Sequence, residues 1–249
     1  MDLSCLVIDT ANRSNFSWPI RLTYDDSSME VCRTGIVFPN GSLGLHVVEI
    51  VFGPQIAILG ASQIQSLIAH EFAHHQLRHI KPLAFRACNI LCRIRNTKIR
   101  NFMLKRLVNL VSKQKQDEFA ADAYVSGSCS ARDLAIALLL LDISWEARYA
   151  IIQTGNCFGF PVQLQKDSVE VGSHFRYMLM YETIKRIFVS LPDVVQKASS
   201  VALQNQQDSD EHPCVQARIE HLGFDWNSIC DLAHASIKNS LNDPITLDI

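Results

Sequence analysis

The stretch Ile68-Ala69-His70-Glu71-Phe72-Ala73-His74-His75 sets two histidines four residues apart, with a glutamate directly after the first, inside an apolar, helix-like segment. On an α-helix, residues four apart lie one turn apart on one face, so His70 and His74 can offer two imidazoles to a single metal ion while Glu71 projects beside it. Neutral imidazoles hold Zn²⁺, and a neighbouring carboxylate can take a proton from a metal-bound water as that water attacks a carbonyl. With 9 His and, by count, nine Glu in 249 residues, chance produces H-E-x-x-H in about one shuffled sequence per hundred of this composition. The motif therefore needs independent support.

A zinc hydrolase with two histidines on one helix takes a third protein ligand from elsewhere and leaves the fourth position to water. The segment Asp117-Glu118-Phe119-Ala120-Ala121-Asp122-Ala123-Tyr124 is helix-compatible and places Glu118 and Asp122 four apart on one face. Glu118 is the candidate third ligand. Asp122, one turn on, is the candidate hydrogen-bond partner of a ligating imidazole.

These residues need elements to hold them. Ser62 with Gln65 reads as an S-x-x-Q capping box, which predicts a helix of about five turns from near Ser62 to Pro82, its buried stripe formed by Ile64, Leu67, Ile68 and Phe72. Ahead of it, Val31 to Phe38 and Leu43 to Phe52 flank the turn residues Pro39-Asn40-Gly41-Ser42 and predict a β-hairpin, with Ile56 to Leu59 as a third short strand. Such a sheet either covers the core or offers an edge strand to an extended peptide. Residues 1 to 28 read as a strand or two with loops. Further helices are expected over Ala131 to Ile143, Ser168 to Val189, a short stretch through Arg218, Ile219 and Leu222 stopped by Gly223, and Ile229 to Leu241.

At 48% hydrophobic residues the chain can bury a sizeable core, and one domain is expected over 1–249, with 1–60 β-rich and 61–249 helical. The longest apolar run, Leu134 to Leu141, is far short of the roughly 20 residues that cross a bilayer. With no signal-peptide pattern at the start, a soluble, cytoplasmic protein is expected. The eight cysteines are scattered without C-x-x-C pairs and read as buried free thiols. From Arg78 to Gln116 there are eleven Lys or Arg and no Asp or Glu, although the whole chain has a net charge of -2. This basic segment 78–116 is either a solvated face of core helices or a docking surface for an acidic partner or an anionic surface. It lacks the interleaved aromatic residues of a nucleic-acid site, so no nucleic acid is expected as a partner.

Taken together, three segments resemble the HtpX and CAAX-prenyl-protease family of gluzincin metallopeptidases. They are His70-Glu71-Phe72-Ala73-His74 with His79 beyond it, Glu118-Phe119-Ala120-Ala121-Asp122, which is similar to the family's E-x-x-A-D element, and His212-Pro213 followed by Arg218-Ile219, which is similar to its late H-P-x-x-x-x-R-I element. The resemblance covers about residues 60 to 223. It implies an α+β, mainly helical, zincin-like metallopeptidase with a small sheet before the H-E-x-x-H helix. The implied activity is that of a zinc endopeptidase acting on a protein or peptide, with His70, His74 and Glu118 as ligands of one Zn²⁺ and Glu71 as general base. His212 and Arg218 match cleft-lining residues of the family, where a cation can stabilise the oxyanion of the attacked carbonyl; alternatively Arg218 pairs with a buried acid such as Asp122. Many members embed the site in membrane-spanning helices, which this sequence lacks. The phage-exclusion type of gluzincin, which has a single cellular target, shares the first two elements, and a zinc-stabilised interaction module with lost or latent activity is a further alternative. The intact Glu71 argues against that last alternative, because a scaffold needs the ligands but not that carboxylate.

Overall fold

A computed structural model of the chain describes residues 2–24, 32–37, 47–77, 97, 99, 114–154, 173–190, 192–204 and 213–242. Among them are eight α-helices and a three-stranded sheet, an α+β and mainly helical architecture. Of the strand or two expected over residues 1 to 28, one is present at Ile20–Tyr24, and the chain before it is instead the helix α1 (Leu3–Arg13). Asp2 caps it by accepting from the Ser4 N–H at 3.0 Å, and Leu3, Leu6, Val7, Thr10 and Ala11 form its buried stripe. Their three-to-four spacing outweighs the strand preference of the short Leu6-Val7-Ile8 run once a cap is in place.

Strands β1 (Ile20–Tyr24), β2 (Cys32–Val37) and β3 (Val47–Phe52) form a sheet in the order β1-β3-β2. The expected hairpin is present as antiparallel pairing of β2 with β3, from Cys32 opposite Phe52 to Val37 opposite Val47; its turn lies outside the described residues. β1 pairs with β3 in parallel, Ile20 opposite Val48. β3 is therefore the central strand, and its near-continuous apolar sequence suits that place, with Val48, Ile50 and Phe52 all 0% exposed. The strand expected over Ile56 to Leu59 is instead a buried 3-10 turn, Pro54–Ile58. Pro54 at its start has no N–H to give to a ladder, and its fixed φ favours the helical turn that follows.

Next comes α2 (Ala61–Gln76), the helix carrying H-E-x-x-H. It begins one residue before the expected Ser62, because the Gln63 carboxamide, not Gln65, reaches back to accept from the Gly60 N–H at 2.9 Å. Gln65 instead donates to Asp9 on α1 at 2.9 Å. α2 ends at Gln76, short of Pro82, which lies outside the described residues.

The remaining helices are α3 (Gln114–Val125), α4 (Ala131–Thr154), α5 (Ser173–Ser190), α6 (Pro192–Gln204), α7 (Val215–His221) and α8 (Trp226–Asn242). α4 runs well past the expected stop at Ile143, since Asp142 is only half-buried and a helix tolerates it there. Leu134, Ala135, Ala137, Leu139 and Leu140 are 0% exposed, which makes α4 the apolar pillar of the core. α2 is held among α1, α3 and α4, and α7 touches α3, α4 and α8. Among the described residues, no helix is long and apolar enough to cross a membrane. Cys5 is an exposed free thiol and Cys129, Cys214 and Cys230 are half-buried ones, so these four are less buried than expected. The basic segment 78–116 lies outside the described residues except at 97, 99 and 114–116.

Candidate metal centre

Two helices bring the candidate ligands together. α2 presents His70 and His74 one turn apart, and α3, packed against it, presents Glu118 and Asp122 one turn apart. The His70 and His74 Nε2 atoms lie 3.1 Å from each other. Glu118 Oε2 is 3.3 Å from His70 Nε2, and Glu118 Oε1 is 3.5 Å from His74 Nε2. One ligating atom from each of the three residues falls within 4.8 Å of the others, and all three side chains are buried.

The donor set passes a geometric test for a metal ion. Bonds of 2.0–2.2 Å from two imidazoles and a carboxylate, spread tetrahedrally, separate the ligating atoms by about 3.3 Å. The imidazole nitrogens at 3.1 Å, and the Glu118 carboxylate with one oxygen 3.3 Å from His70 Nε2 and the other 3.5 Å from His74 Nε2, lie close to that value. Two imidazole nitrogens and a carboxylate converging in a buried place is costly for the protein alone, and a shared cation relieves it. His70, His74 and Glu118 can thus hold a metal ion.

Around this trio, Asp122 Oδ1 approaches His70 Nδ1 at 2.9 Å. The approach is short but off the N–H axis required of a hydrogen bond. Arg218 arrives from α7, donating Nε to Asp122 Oδ2 at 2.8 Å and Nη2 to Asp122 Oδ1 at 2.6 Å. Its Nη1 is 3.6 Å from Glu118 Oε2 and its Nη2 is 3.4 Å from His70 Nε2. Asp122 is 0% exposed and Arg218 7%.

The electrostatics follow from these contacts. Burial disfavours the His70 imidazolium, but the nearby Asp122 and Glu118 carboxylates overcompensate and raise its pKa from 6.5 to about 9 in the metal-free chain. Burial also works to raise the Asp122 pKa, yet the Arg218 guanidinium prevails and holds it down at about 2. Arg218 is itself held charged: the burial penalty is exceeded by Asp122, with Glu118 and Glu71 adding in the same direction.

Glu71 follows His70 on α2, is half-buried, and is close enough to Arg218 to affect its charge. His212 lies outside the described residues. His75 sets its ring edge towards Phe16 with centroids 6.1 Å apart, away from the trio. One supporting corner was not foreseen. The Ser14 carbonyl accepts from Gln76 at the end of α2 and from the Tyr124 hydroxyl on α3, tying together the helices that carry the ligands. Nothing in the local sequence marks Ser14 for this task, because its partners lie 62 and 110 residues away.

Comparison of the chain with protein-family models, with curated proteins and with solved structures finds no match to any of them. The functional reading therefore rests on this geometry and on the three sequence elements that led to it.

Proposed function

We infer that the chain is a zinc-dependent endopeptidase of zincin-like fold. The observation that carries this reading is the convergence of His70, His74 and Glu118 within 4.8 Å, with Glu71 on the same helix as both histidines. Two imidazoles and one carboxylate suit zinc better than the harder, all-oxygen cations. Zinc held there would supply a water of pKa near about 7 and polarise the scissile carbonyl. The Glu71 carboxylate takes the proton from the attacking water and passes it to the leaving nitrogen. The Asp122 carboxylate, 2.9 Å from His70 Nδ1, favours the ring proton on that nitrogen and so leaves Nε2 for the metal. β2, an edge strand in contact with α2, is where an extended peptide backbone would be aligned by main-chain hydrogen bonds.

Glu71→Gln tests the mechanism. Peptide cleavage should fall by about 10²–10⁴-fold, the usual contribution of a general base, while zinc content and melting temperature stay at wild-type values. New termini produced from a cell lysate by the wild type but not by the variant would identify the substrates. Retained cleavage in Glu71→Gln removes Glu71 from the mechanism.

A further inference from the structure

Arg218 is placed to act on the metal centre through another residue. α7 has only seven residues. It is anchored in the core by Ile219, 0% exposed, and closed by Gly223, whose φ of +84° suits the left-handed end of a helix. From this short element the guanidinium makes a two-toothed contact with Asp122, Nε to Oδ2 and Nη2 to Oδ1. Fork-on-carboxylate pairing fixes the plane of the carboxylate as well as its charge. The Asp122 oxygen that receives Nη2 is also the one 2.9 Å from His70 Nδ1.

A residue that stabilises a substrate oxyanion must present its N–H groups to the space where that oxyanion forms. Arg218 is buried and spends Nε and Nη2 on Asp122 at 2.8 and 2.6 Å, shorter than its approaches of 3.6 Å to Glu118 Oε2 and 3.4 Å to His70 Nε2. We propose that Arg218 is a positioning residue of the metal centre: it fixes Asp122, Asp122 sets the orientation of the His70 ring, and the ring aims Nε2 at the metal. This rests on the reading of His70, His74 and Glu118 as a zinc site. It also accounts for the charge in the pocket. Among the described residues, with neutral histidines, the carboxylates Glu71, Glu118 and Asp122 against the Arg218 cation leave a net charge of minus two, which one divalent ion cancels.

The experiment compares metal-free wild type, Arg218→Met, Arg218→Lys, Asp122→Asn and the Arg218→Met/Asp122→Asn double variant. It measures zinc affinity by chelator competition, the visible absorption of the cobalt(II)-loaded proteins, and melting temperature. Arg218→Met should lose about 10–100-fold in zinc affinity, as expected for an outer partner of a ligating histidine, and should alter the cobalt bands that report ligand geometry. Arg218→Lys, which keeps the charge without the fork, should recover only part of that loss. The double variant should bind zinc no more weakly than Asp122→Asn alone, since both substitutions cut one chain of contacts.

Losses that multiply in the double variant overturn the proposal. So does an Arg218→Met protein that melts lower but keeps wild-type affinity and cobalt spectrum, the signature of a purely structural arginine. Should Arg218→Met fail to fold, full zinc affinity in Arg218→Lys overturns the proposal just as firmly. Wild-type protein that binds zinc and cleaves no peptide leaves Arg218 in this role and defeats the peptidase reading; failure of the wild type to bind zinc defeats both.

Discussion

The two sides of α2 are buried to nearly the same degree and are chemically opposite. On one side Ile64, Ile68 and Phe72 are 0–1% exposed, and Phe72 stacks on Phe16 with ring centroids 4.0 Å apart and planes 12° from parallel. On the other, His70 and His74 are 5% and 6% exposed and face the carboxylates of Glu118 and Asp122. Apolar burial is non-directional, so any neighbour of suitable volume can complete the first side. The second side needs particular atoms at particular distances, and its partners lie up to 148 residues away in sequence. One helix thus joins a tolerant interface to an exacting one, and substitutions on the two sides should fail in different ways.

The largest effect is expected from Glu118→Ala on the exacting side. Loss of a direct ligand should cost more zinc affinity than the roughly 10–100-fold typical of an outer partner, and cleavage should disappear with the metal. Metal analysis after dialysis checks this, and a full zinc complement in Glu118→Ala would take Glu118 off the ligand list. On the tolerant side, Phe72→Ala should destabilise the protein by about 3–5 kcal/mol through lost burial and a residual cavity. Its folded fraction should still bind zinc with near wild-type affinity, although Phe72 lies between the two candidate ligand histidines in sequence. If denaturant melts and zinc titrations fall together in this variant, the two sides are coupled and the contrast fails.

The same contrast explains what could be read from the sequence. His70, Glu71, His74, Glu118 and Asp122 were legible because their types are uncommon in apolar helices and four-residue spacing fixes a common face. The structure brings His70, His74, Glu118 and Asp122 to one place, and Arg218 joins them from α7. The tolerant side was less legible. The strand preference of Leu6-Val7-Ile8 hid the helical spacing of α1, and Pro54 turned an apolar run into a 3-10 turn. Capping of α2 by Gln63, with Gln65 diverted to Asp9, is decided by a tertiary partner that no local pattern contains. The parallel pairing of β1 with β3 was likewise invisible, because it depends on a crossover rather than on a turn.

Acidity separates the two sides further. The His70 pKa is raised from 6.5 to about 9 in the metal-free protein, so the stability this group contributes is fully present below pH 6.5 and is lost as pH rises through about 9. Asp122 is lowered from 3.8 to about 2, so its contribution is present above pH 3.8 and is lost as pH falls through about 2. Zinc competes with the proton on His70, and its affinity should rise across the interval in which the metal-free protein weakens. Melting curves with and without zinc should therefore diverge between pH 6.5 and 9. Parallel curves would show that His70 does not exchange a proton for the metal. Because the apolar side holds no titrating group among Ile64, Ile68 and Phe72, Phe72→Ala should lower both curves without changing their divergence.

The smallest effects belong to two helix ends built alike. At the end of α1, Asn15 has φ 49°, its N–H bonds to the Asn12 carbonyl, and the Phe16 N–H bonds to the Ala11 carbonyl. At the end of α7, Gly223 has φ 84°, and Gly223 and Phe224 make the equivalent bonds to Glu220 and Ile219. Both are Schellman closures, one with asparagine and one with glycine at the left-handed position. Alanine at Gly223 should cost about 1–2 kcal/mol, the penalty for a Cβ in that conformation, and alanine at Asn15, where a Cβ is already present, should cost less. Open space around the Gly223 Cβ position means the cost there is conformational rather than steric. The corner at Asn15 leads into Phe16 and the apolar side of α2 and reaches the candidate ligands' helices only at their ends, through the Ser14 carbonyl, so Asn15→Ala should lower stability and change zinc affinity less than Gly223→Ala does. The corner at Gly223 closes the helix that carries Arg218, so Gly223→Ala should also weaken zinc binding, by less than the roughly 10-fold expected for outright loss of an outer partner. Equal zinc affinity in the two variants would mean that strain at the end of α7 does not reach Asp122 through Arg218.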